Sequence, residues 1–143
     1  MFLGQYRHSI DNKGRLTIPS RFRELLITEG AYVSQGFERN LMVRTVASFE
    51  ELSKKVEALS QTAPNSRLLK RLIFSTAEKV DVDKAGRILI PEFLRTSAGL
   101  EVETILVGAG DYFEIWAPEI WGEQEKELQD AKANAERFAF LDL

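Results

Sequence analysis

The residues of this chain that could do chemistry stand in one phrase that occurs twice. Residues 11–23 read Asp-Asn-Lys-Gly-Arg-Leu-Thr-Ile-Pro-Ser-Arg-Phe-Arg, and residues 83–95 read Asp-Lys-Ala-Gly-Arg-Ile-Leu-Ile-Pro-Glu-Phe-Leu-Arg. In each copy an Asp precedes an Arg by four residues, and a Gly stands directly before the Arg. The planar fork of arginine matches phosphate oxygens and the major-groove edge of guanine. The phrase therefore has residue types suited to nucleic-acid binding.

The two copies match at one spacing of 72 residues. Within the phrase the matches are Asp11 with Asp83, Gly14 with Gly86, Arg15 with Arg87, Ile18 with Ile90, Pro19 with Pro91 and Arg23 with Arg95. Beyond it, at the same spacing, they are Val33 with Ile105, Gly36 with Gly108, Val43 with Ile115 and Phe49 with Trp121. Two copies are too few for a solenoid, which needs about three or more repeats. The repeat predicts two half-domains that close around one core.

Local sequence patterns indicate the elements that must position the phrase. Each copy has two short strand patterns around an Asp-x-x-Gly turn, which predicts a β-hairpin. Gly14 and Gly86 supply the positive φ of the turn. Pro19 and Pro91 then each begin a short helix, because proline suits the first helical turn.

A second hairpin is predicted in each half, from residues 31–36 and 41–46 and from residues 104–107 and 112–116. Helices follow each of these hairpins, and the last is expected to run from Pro118 to about Ala135. We therefore predict an α+β fold whose first half is 1–60, whose linking helix lies in 61–77, and whose second half, with the long C-terminal helix, is 78–143.

Composition excludes several classes of protein. The chain has 143 residues, 44% apolar and 29% charged, as is usual for one globular domain. It has no Cys and a single His, His8, which we interpret as a strand residue because a lone His lacks partners for a metal. We recognise no secretory leader or membrane span, so we expect a cytoplasmic protein without membrane contact. We also expect no cofactor, metal, small-molecule substrate or catalytic residue, and no enzymatic activity.

The net charge of −3 is unevenly distributed. The first 23 residues hold five basic residues against one acid, whereas residues 118–143 hold seven acids against three basic residues. A basic face and an acidic tail can therefore coexist in one small protein. Beyond Arg137 the tail Phe-Ala-Phe-Leu-Asp-Leu is apolar, and a monomer would seldom leave such a patch exposed.

Each predicted turn lifts a lysine and an arginine to the end of a hairpin, and a two-stranded ribbon is one of the elements that fits the major groove. An ion pair across each hairpin would hold the arginine. The candidate DNA-binding residues are Arg15, Lys13, Arg87, Lys84, Arg7 and Arg21, supported by Asp11, Gly14, Asp83 and Gly86.

Alternatives stay open at this point. Asp-x-x-Gly-Arg can be turn chemistry alone, and the basic cluster Arg67, Lys70 and Arg71 is interpreted as a solvated helix face. An enzyme that anchors a phosphate through Asp11 and Arg15 would lack any recognisable catalytic motif. A hairpin-based protein-interaction or antitoxin-like module without promoter specificity is the remaining alternative.

The repeated Asp-x-x-x-Arg phrases, the Gly-Arg-Leu-Thr-Ile-Pro and Gly-Arg-Ile-Leu-Ile-Pro strands and the opening Met-Phe-Leu-Gly together resemble the MraZ family over essentially the whole chain. More distantly, the hairpins are similar to AbrB-like regulators. The resemblance implies an AbrB-like double-split, or swapped-hairpin, β-barrel with peripheral helices. It also implies a nucleoid-associated transcription factor, usually a repressor of its own division and cell-wall operon. Such a protein binds repeated promoter boxes on double-stranded DNA as a ring homo-oligomer. The second copy has Ala85 where the first has Lys13, and Phe93 where it has Arg21, so the first hairpin is expected to contact DNA more strongly.

Overall fold

Eight strands and six α-helices alternate along the chain, and the computed structural model describes all 143 residues. The strands are β1 Gln5–Ser9, β2 Arg15–Thr17, β3 Ala31–Gln35, β4 Leu41–Thr45, β5 Glu78–Val80, β6 Arg87–Leu89, β7 Glu103–Gly108 and β8 Tyr112–Trp116. The helices are α1 Ser20–Leu26, α2 Val46–Glu57, α3 Pro64–Phe74, α4 Glu92–Ser97, α5 Pro118–Leu128 and α6 Ala131–Phe138, and a 3-10 turn at Ala139–Leu141 follows. The predicted α+β class is confirmed. None of these helices combines the length and apolar character that a membrane crossing requires.

Six strands form one antiparallel sheet in the order β1-β7-β8-β4-β3-β5, and β2 and β6 form a separate two-stranded sheet, here called the ribbon. The second hairpin of each half is confirmed, since β3 pairs with β4 and β7 pairs with β8. The prediction of a first hairpin within each half is wrong. β1 pairs with β7 and β5 pairs with β3, and only an isolated bridge between Ile10 and Leu16 joins the end of β1 to β2.

Burial explains why the ribbon forms between the halves rather than within them. Its central pair is Leu16 with Ile88, and both side chains are completely buried. A strand of three residues directs only its middle side chain inward, and an isolated two-stranded hairpin is marginal in water. Pairing the two equivalent strands puts both inward side chains into one core.

The turns lock this arrangement through reciprocal backbone hydrogen bonds. The N–H of Ile18 donates to the carbonyl of Gly86 at 2.9 Å, and the N–H of Ile90 donates to the carbonyl of Gly14 at 2.8 Å. Each strand of the ribbon is thus continued onto the turn of the other half. The two halves interleave at the repeated phrase.

The spacing of the repeat changes by one residue between the ribbon and the sheet. Tyr6 lies opposite Leu106, and its equivalent Glu78 lies opposite Val33. Tyr6 and Glu78 are 72 residues apart, whereas Val33 and Leu106 are 73 apart. The matches of Val33 with Ile105 and of Gly36 with Gly108 are therefore both wrong by one residue. The second half has one additional residue before β7, which a loop accommodates without disturbing the sheet.

One main core draws on both halves, as the repeat predicted. At its centre the rings of Phe2, Phe22 and Phe113 lie 4.8–5.1 Å apart between centroids. A smaller cluster contains Trp116 and Trp121, whose ring centroids are 5.5 Å apart and which are both buried. Twenty buried residues from both halves contribute to the main core, whereas the smaller cluster belongs to the second half alone.

The single long C-terminal helix is a wrong prediction, because the chain breaks between α5 and α6. Asp130 caps α6 by accepting a hydrogen bond from the N–H of Ala133 at 3.0 Å. The amide of Asn134 donates to the carbonyl of Leu128 at 2.9 Å, which satisfies the end of α5. Aspartate favours such a cap over a helix interior. No residue of α6 is buried.

Candidate nucleic-acid interface

Four side chains occupy the outward face of the ribbon. Side chains of a strand alternate between faces, so Arg15, Thr17, Arg87 and Leu89 point away from the buried central pair. Arg15 lies beside Leu89, and Thr17 lies beside Arg87. The side chains of Arg15 and Arg87 are 33% and 28% exposed. The outward face therefore combines two accessible guanidinium groups with one methyl-bearing hydroxyl and one exposed apolar side chain.

An aspartate holds each of these arginines from its own turn. The Nε of Arg15 donates to Oδ2 of Asp11 at 2.8 Å, and the Nε of Arg87 donates to Oδ2 of Asp83 at 3.0 Å. The other oxygen of each carboxylate accepts the backbone N–H of the same arginine at 2.9 Å. The ion pair predicted across each turn is present in both copies, and it fixes the guanidinium through its inner nitrogen.

These hydrogen bonds shift the acidity of both carboxyl groups. The pKa of Asp11 falls to about 2, chiefly because the backbone N–H of Arg15 donates to it, with further help from the Arg15 side chain and the backbone N–H of Lys13. The pKa of Asp83 is lowered for the same leading reason, the backbone N–H of Arg87. Hydrogen bonds to the ionised form favour that form. Both carboxylates therefore stay ionised at neutral pH.

The two arginines are not equivalent. Arg87 also donates from Nη1 to Oδ2 of Asp11 at 3.4 Å, so it is shared between the aspartates of both halves. Arg15 makes no corresponding bond to Asp83, and its Nη1 and Nη2 groups have no hydrogen-bond partner in the chain. Arg15 thus presents the freer fork on the outward face.

Two more arginines, Arg23 and Arg95, each contact the turn of the opposite half. Gly14 and Gly86 have φ of +85° and +78°, which glycine adopts readily. The guanidinium of Arg95 lies against Gly14, and the side chain of Arg23 lies against Gly86. A methyl group added at Gly14 would lie 3.1 Å from Cζ of Arg95, whereas one at Gly86 would lie 2.7 Å from Cδ of Arg23. Each short helix therefore covers the turn of the opposite half.

The remaining candidate residues lie at different distances from the ribbon. Lys13 and Lys84 are exposed at the two turns and make no ion pair. Arg21 is exposed on α1. It lines a cavity between β1, the end of β2 and the start of α1 that Thr17 also lines, so Arg21 lies beside the outward face. Arg7 is exposed on β1, on the opposite face of that strand from the neighbouring side chains that line the cavity. The fold brings Arg21 to the ribbon and gives no such placement for Arg7.

The basic cluster on α3 is used within the chain. Arg67 donates to the carbonyls of Gln61 and Thr62, both at 3.1 Å, and Lys70 donates to the carbonyl of Leu59 at 3.0 Å. These bonds fasten the loop between α2 and α3. Arg71 is exposed on the same helix, and the interpretation of this cluster as a solvated helix face stays a prediction.

Sequence reasoning missed Arg23 and assigned no function to His8, although both line the cavity beside the ribbon. The recurrence of Arg23 as Arg95 was the available signal. Burial and the positive charge of Arg23 lower the pKa of His8. No group of three or more His, Asp or Glu residues is placed to hold a metal ion.

Comparisons with known proteins agree with the repeat. The family described as “MraZ protein, putative antitoxin-like” matches residues 1–72 and again residues 73–142. A protein of Thermomicrobium roseum is 44% identical over 142 residues, covering 99% of both chains. One of Roseiflexus sp. is 44% identical over 139 residues, covering 97% of this chain and 94% of its own, and one of Dictyoglomus thermophilum is 46% identical over 127 residues, covering 89% and 86%.

Each of these three relatives is named transcriptional regulator MraZ. The solution structure of PHS018 from Pyrococcus horikoshii matches with a TM-score of 0.34 and 16% identity over 80% of this chain and 88% of that one, which is too distant to inform the function. The names of the relatives confirm the expectation that the chain is not an enzyme. With both halves matched by one family and close relatives matched along nearly their whole length, the chain belongs to the MraZ family.

Proposed function

We propose that this chain is a sequence-specific DNA-binding transcriptional regulator that contacts double-stranded DNA through the outward face of the ribbon. The observation that carries the proposal is the pair of aspartate-held arginines, Arg15 and Arg87, which lie diagonally across the ribbon on its outward face. A ribbon of this kind fits the major groove, where arginine reads guanine. The regulator names of close relatives support the same conclusion.

The ion pairs hold both arginine side chains in place before DNA binds, which favours binding. An arginine fixed through Nε loses less side-chain entropy on binding, and its two Nη groups stay available for a bidentate contact. Arg15 has both Nη groups free, so the first copy makes the stronger contact. Lys13, Lys84, Arg21 and Arg7 add contacts to phosphate, which orient the duplex without reading its sequence.

The proposal extends to the DNA target and the cell. The chain binds repeated short boxes upstream of its own division and cell-wall operon, acts there as a repressor, and is located in the cytoplasm on the nucleoid. Its fold is an AbrB-like swapped-hairpin barrel with halves 1–60 and 78–143 joined by the linking segment 61–77. The pairing of β2 with β6 and of β1 with β7 across the halves supports this description.

A difference between the helices α3 and α6 supports self-association, for which we propose a ring. In the linking segment α3 buries Ile73 completely, whereas α6, which follows α5 as α3 follows α2, buries nothing. The apolar tail after α6 is largely exposed, with Phe140 at 92% and Leu143 at 107%. A neighbouring subunit would cover this surface. Linked subunits on successive boxes raise avidity by about 10²–10⁴.

Fluorescence anisotropy tests the proposal directly. A labelled duplex from the gene's own upstream region and a scrambled duplex are titrated at two salt concentrations with wild type, Arg15→Ala, Arg87→Ala and the control Arg67→Ala. We expect preference for the native duplex, a loss of about 1–3 kcal/mol in Arg15→Ala, a smaller loss in Arg87→Ala and none in the control. Equal binding of both duplexes, unchanged by Arg15→Ala, would refute the proposal and favour a protein-interaction or antitoxin-like module.

A further inference from the structure

A cavity of about 550 Å³ lies beside the ribbon, between β1, the end of β2 and the start of α1. Its polar lining comes from six side chains of the first half, and no carboxylate lines it. These side chains are Tyr6, His8, Thr17, Ser20, Arg21 and Arg23. Thr17 belongs both to this lining and to the outward face of the ribbon, so the cavity opens next to the proposed DNA contact.

The cations of this cavity have no counter-charge. The four ion pairs of the chain involve other arginines, so neither Arg21 nor Arg23 is neutralised. The Nε of Arg23 is fully buried and has no hydrogen-bond partner. A buried donor without an acceptor costs stability, and a buried charge needs a partner. An anion in the cavity would supply both.

The second half shows that folding does not require this lining. At the equivalent positions, 72 residues later, it has Val80 for His8, Leu89 for Thr17, Glu92 for Ser20 and Phe93 for Arg21, while Arg95 repeats Arg23. The same backbone arrangement therefore tolerates apolar and acidic side chains. Cationic and hydroxyl side chains surround the cavity in the first half alone. Such a lining is typical of a binding site, because the fold itself does not require it.

We infer that this cavity binds a phosphate group. Guanidinium groups bind phosphate oxygens through paired N–H donors, and the hydroxyls of Tyr6, Thr17 and Ser20 can donate to the remaining oxygens. The phosphate comes either from the DNA backbone or from a phosphorylated small molecule. The DNA source rests on the proposed function, whereas the small-molecule source does not. Phosphate would also raise the depressed pKa of His8, because a nearby negative charge favours the protonated imidazole.

His8 is the only histidine, so its imidazole signals in NMR report on this cavity alone. The full-length protein is titrated with inorganic phosphate against chloride at equal ionic strength. The variants are Arg21→Phe and Ser20→Glu, which copy the second half, with Arg67→Ala as control. We expect a saturable shift of the His8 signals, at least about tenfold weaker binding in both cavity variants, and wild-type behaviour in the control. No response beyond chloride, or equal binding in the variants, would overturn the inference.

A second titration identifies the source of the phosphate. If it is the DNA backbone, Arg21→Phe weakens the native and scrambled duplexes equally and lowers the salt slope by about one charge. If it is a small molecule, duplex binding is unchanged while binding of a nucleoside monophosphate is lost. Phosphate binding without any duplex binding would refute the proposed function and leave the phosphate site standing. Specific duplex binding, together with His8 NMR signals that do not shift with phosphate, would refute the phosphate site alone.

Discussion

Replacing Gly86 by Ala should destabilise the protein more than replacing Gly14 by Ala, although the two glycines occupy equivalent turns. Both have a positive φ, where an alanine costs about 1–2 kcal/mol. The new methyl at Gly14 would lie 3.1 Å from the nearest atoms of Arg95, a contact that a small shift relieves. The new methyl at Gly86 would lie 2.7 Å from Cδ and 2.8 Å from Cζ of Arg23, so that side chain must leave its position.

Displacing Arg23 adds a second contribution to the cost at Gly86. Moving a side chain off its preferred rotamer costs about 0.5–1.5 kcal/mol. We therefore expect about 1–2 kcal/mol for Gly14→Ala and about 2–3 kcal/mol for Gly86→Ala. Urea unfolding followed by circular dichroism measures both, at one protein concentration because self-association would change the apparent stability.

A double-mutant cycle separates the two contributions. In an Arg23→Ala background the methyl at Gly86 has space, so the cost of Gly86→Ala should fall to that of Gly14→Ala. The coupling free energy should then be about 0.5–1.5 kcal/mol. If Gly86→Ala costs no more than Gly14→Ala, or if Arg23→Ala leaves the cost of Gly86→Ala unchanged, the packing of α1 on the opposite turn adds nothing to the cost of Gly86→Ala.

Four further outcomes follow from the structure. NMR titration should give the Asp11 carboxyl a pKa of about 2 and, in Arg15→Ala, a value still below 3.8, because the backbone N–H bonds remain. Because folding lowers the pKa of Asp11, its ionised carboxylate stabilises the folded protein fully above pH 3.8, and this stabilisation is lost as the pH falls through about 2. Measured by unfolding at several pH values, Asp11→Asn should lack this acid-dependent loss. Lys13→Ala should lower the salt slope of DNA binding by about one charge while keeping the preference for the native duplex, as anisotropy would show. Deleting residues 139–143, none of which is buried, should reduce the mass of the assembly in light scattering without lowering the unfolding midpoint of the separated subunit.

The repeated turn could be predicted from sequence because its determinants are local. Asp11 and Arg15 are four residues apart, and the intervening Gly14 fixes the turn that brings them together. The same reasoning holds for the second copy. The strands of the β3–β4 and β7–β8 hairpins were likewise predictable, because short loops leave adjacent strands little choice of partner.

The partners across the halves could not be read from the sequence. Leu16 is equally apolar whether it pairs within its own half or with Ile88, so the pattern carries no information on which pairing buries it better. The cavity could not be predicted either, because His8 on β1 and Arg23 on α1 are separated in the sequence and only the packing of these two elements brings them together. The one-residue insertion before β7 is also hard to detect by comparing two copies, because Ile105 and Leu106 are both apolar and either one matches Val33.

The interleaving of the halves gives a newly made chain a fixed order of events. β1, β2 and β3 are synthesised early, yet their partners β7, β6 and β5 all belong to the second half of the chain. Contacts that join distant residues form slowly, and the waiting strands keep unpaired edges. The outward arginine face can therefore assemble only after both copies have left the ribosome. A nascent chain that ends before β6 would have Arg15 but not the outward face of the ribbon, so the proposed DNA contact could form only once both copies of the phrase are present.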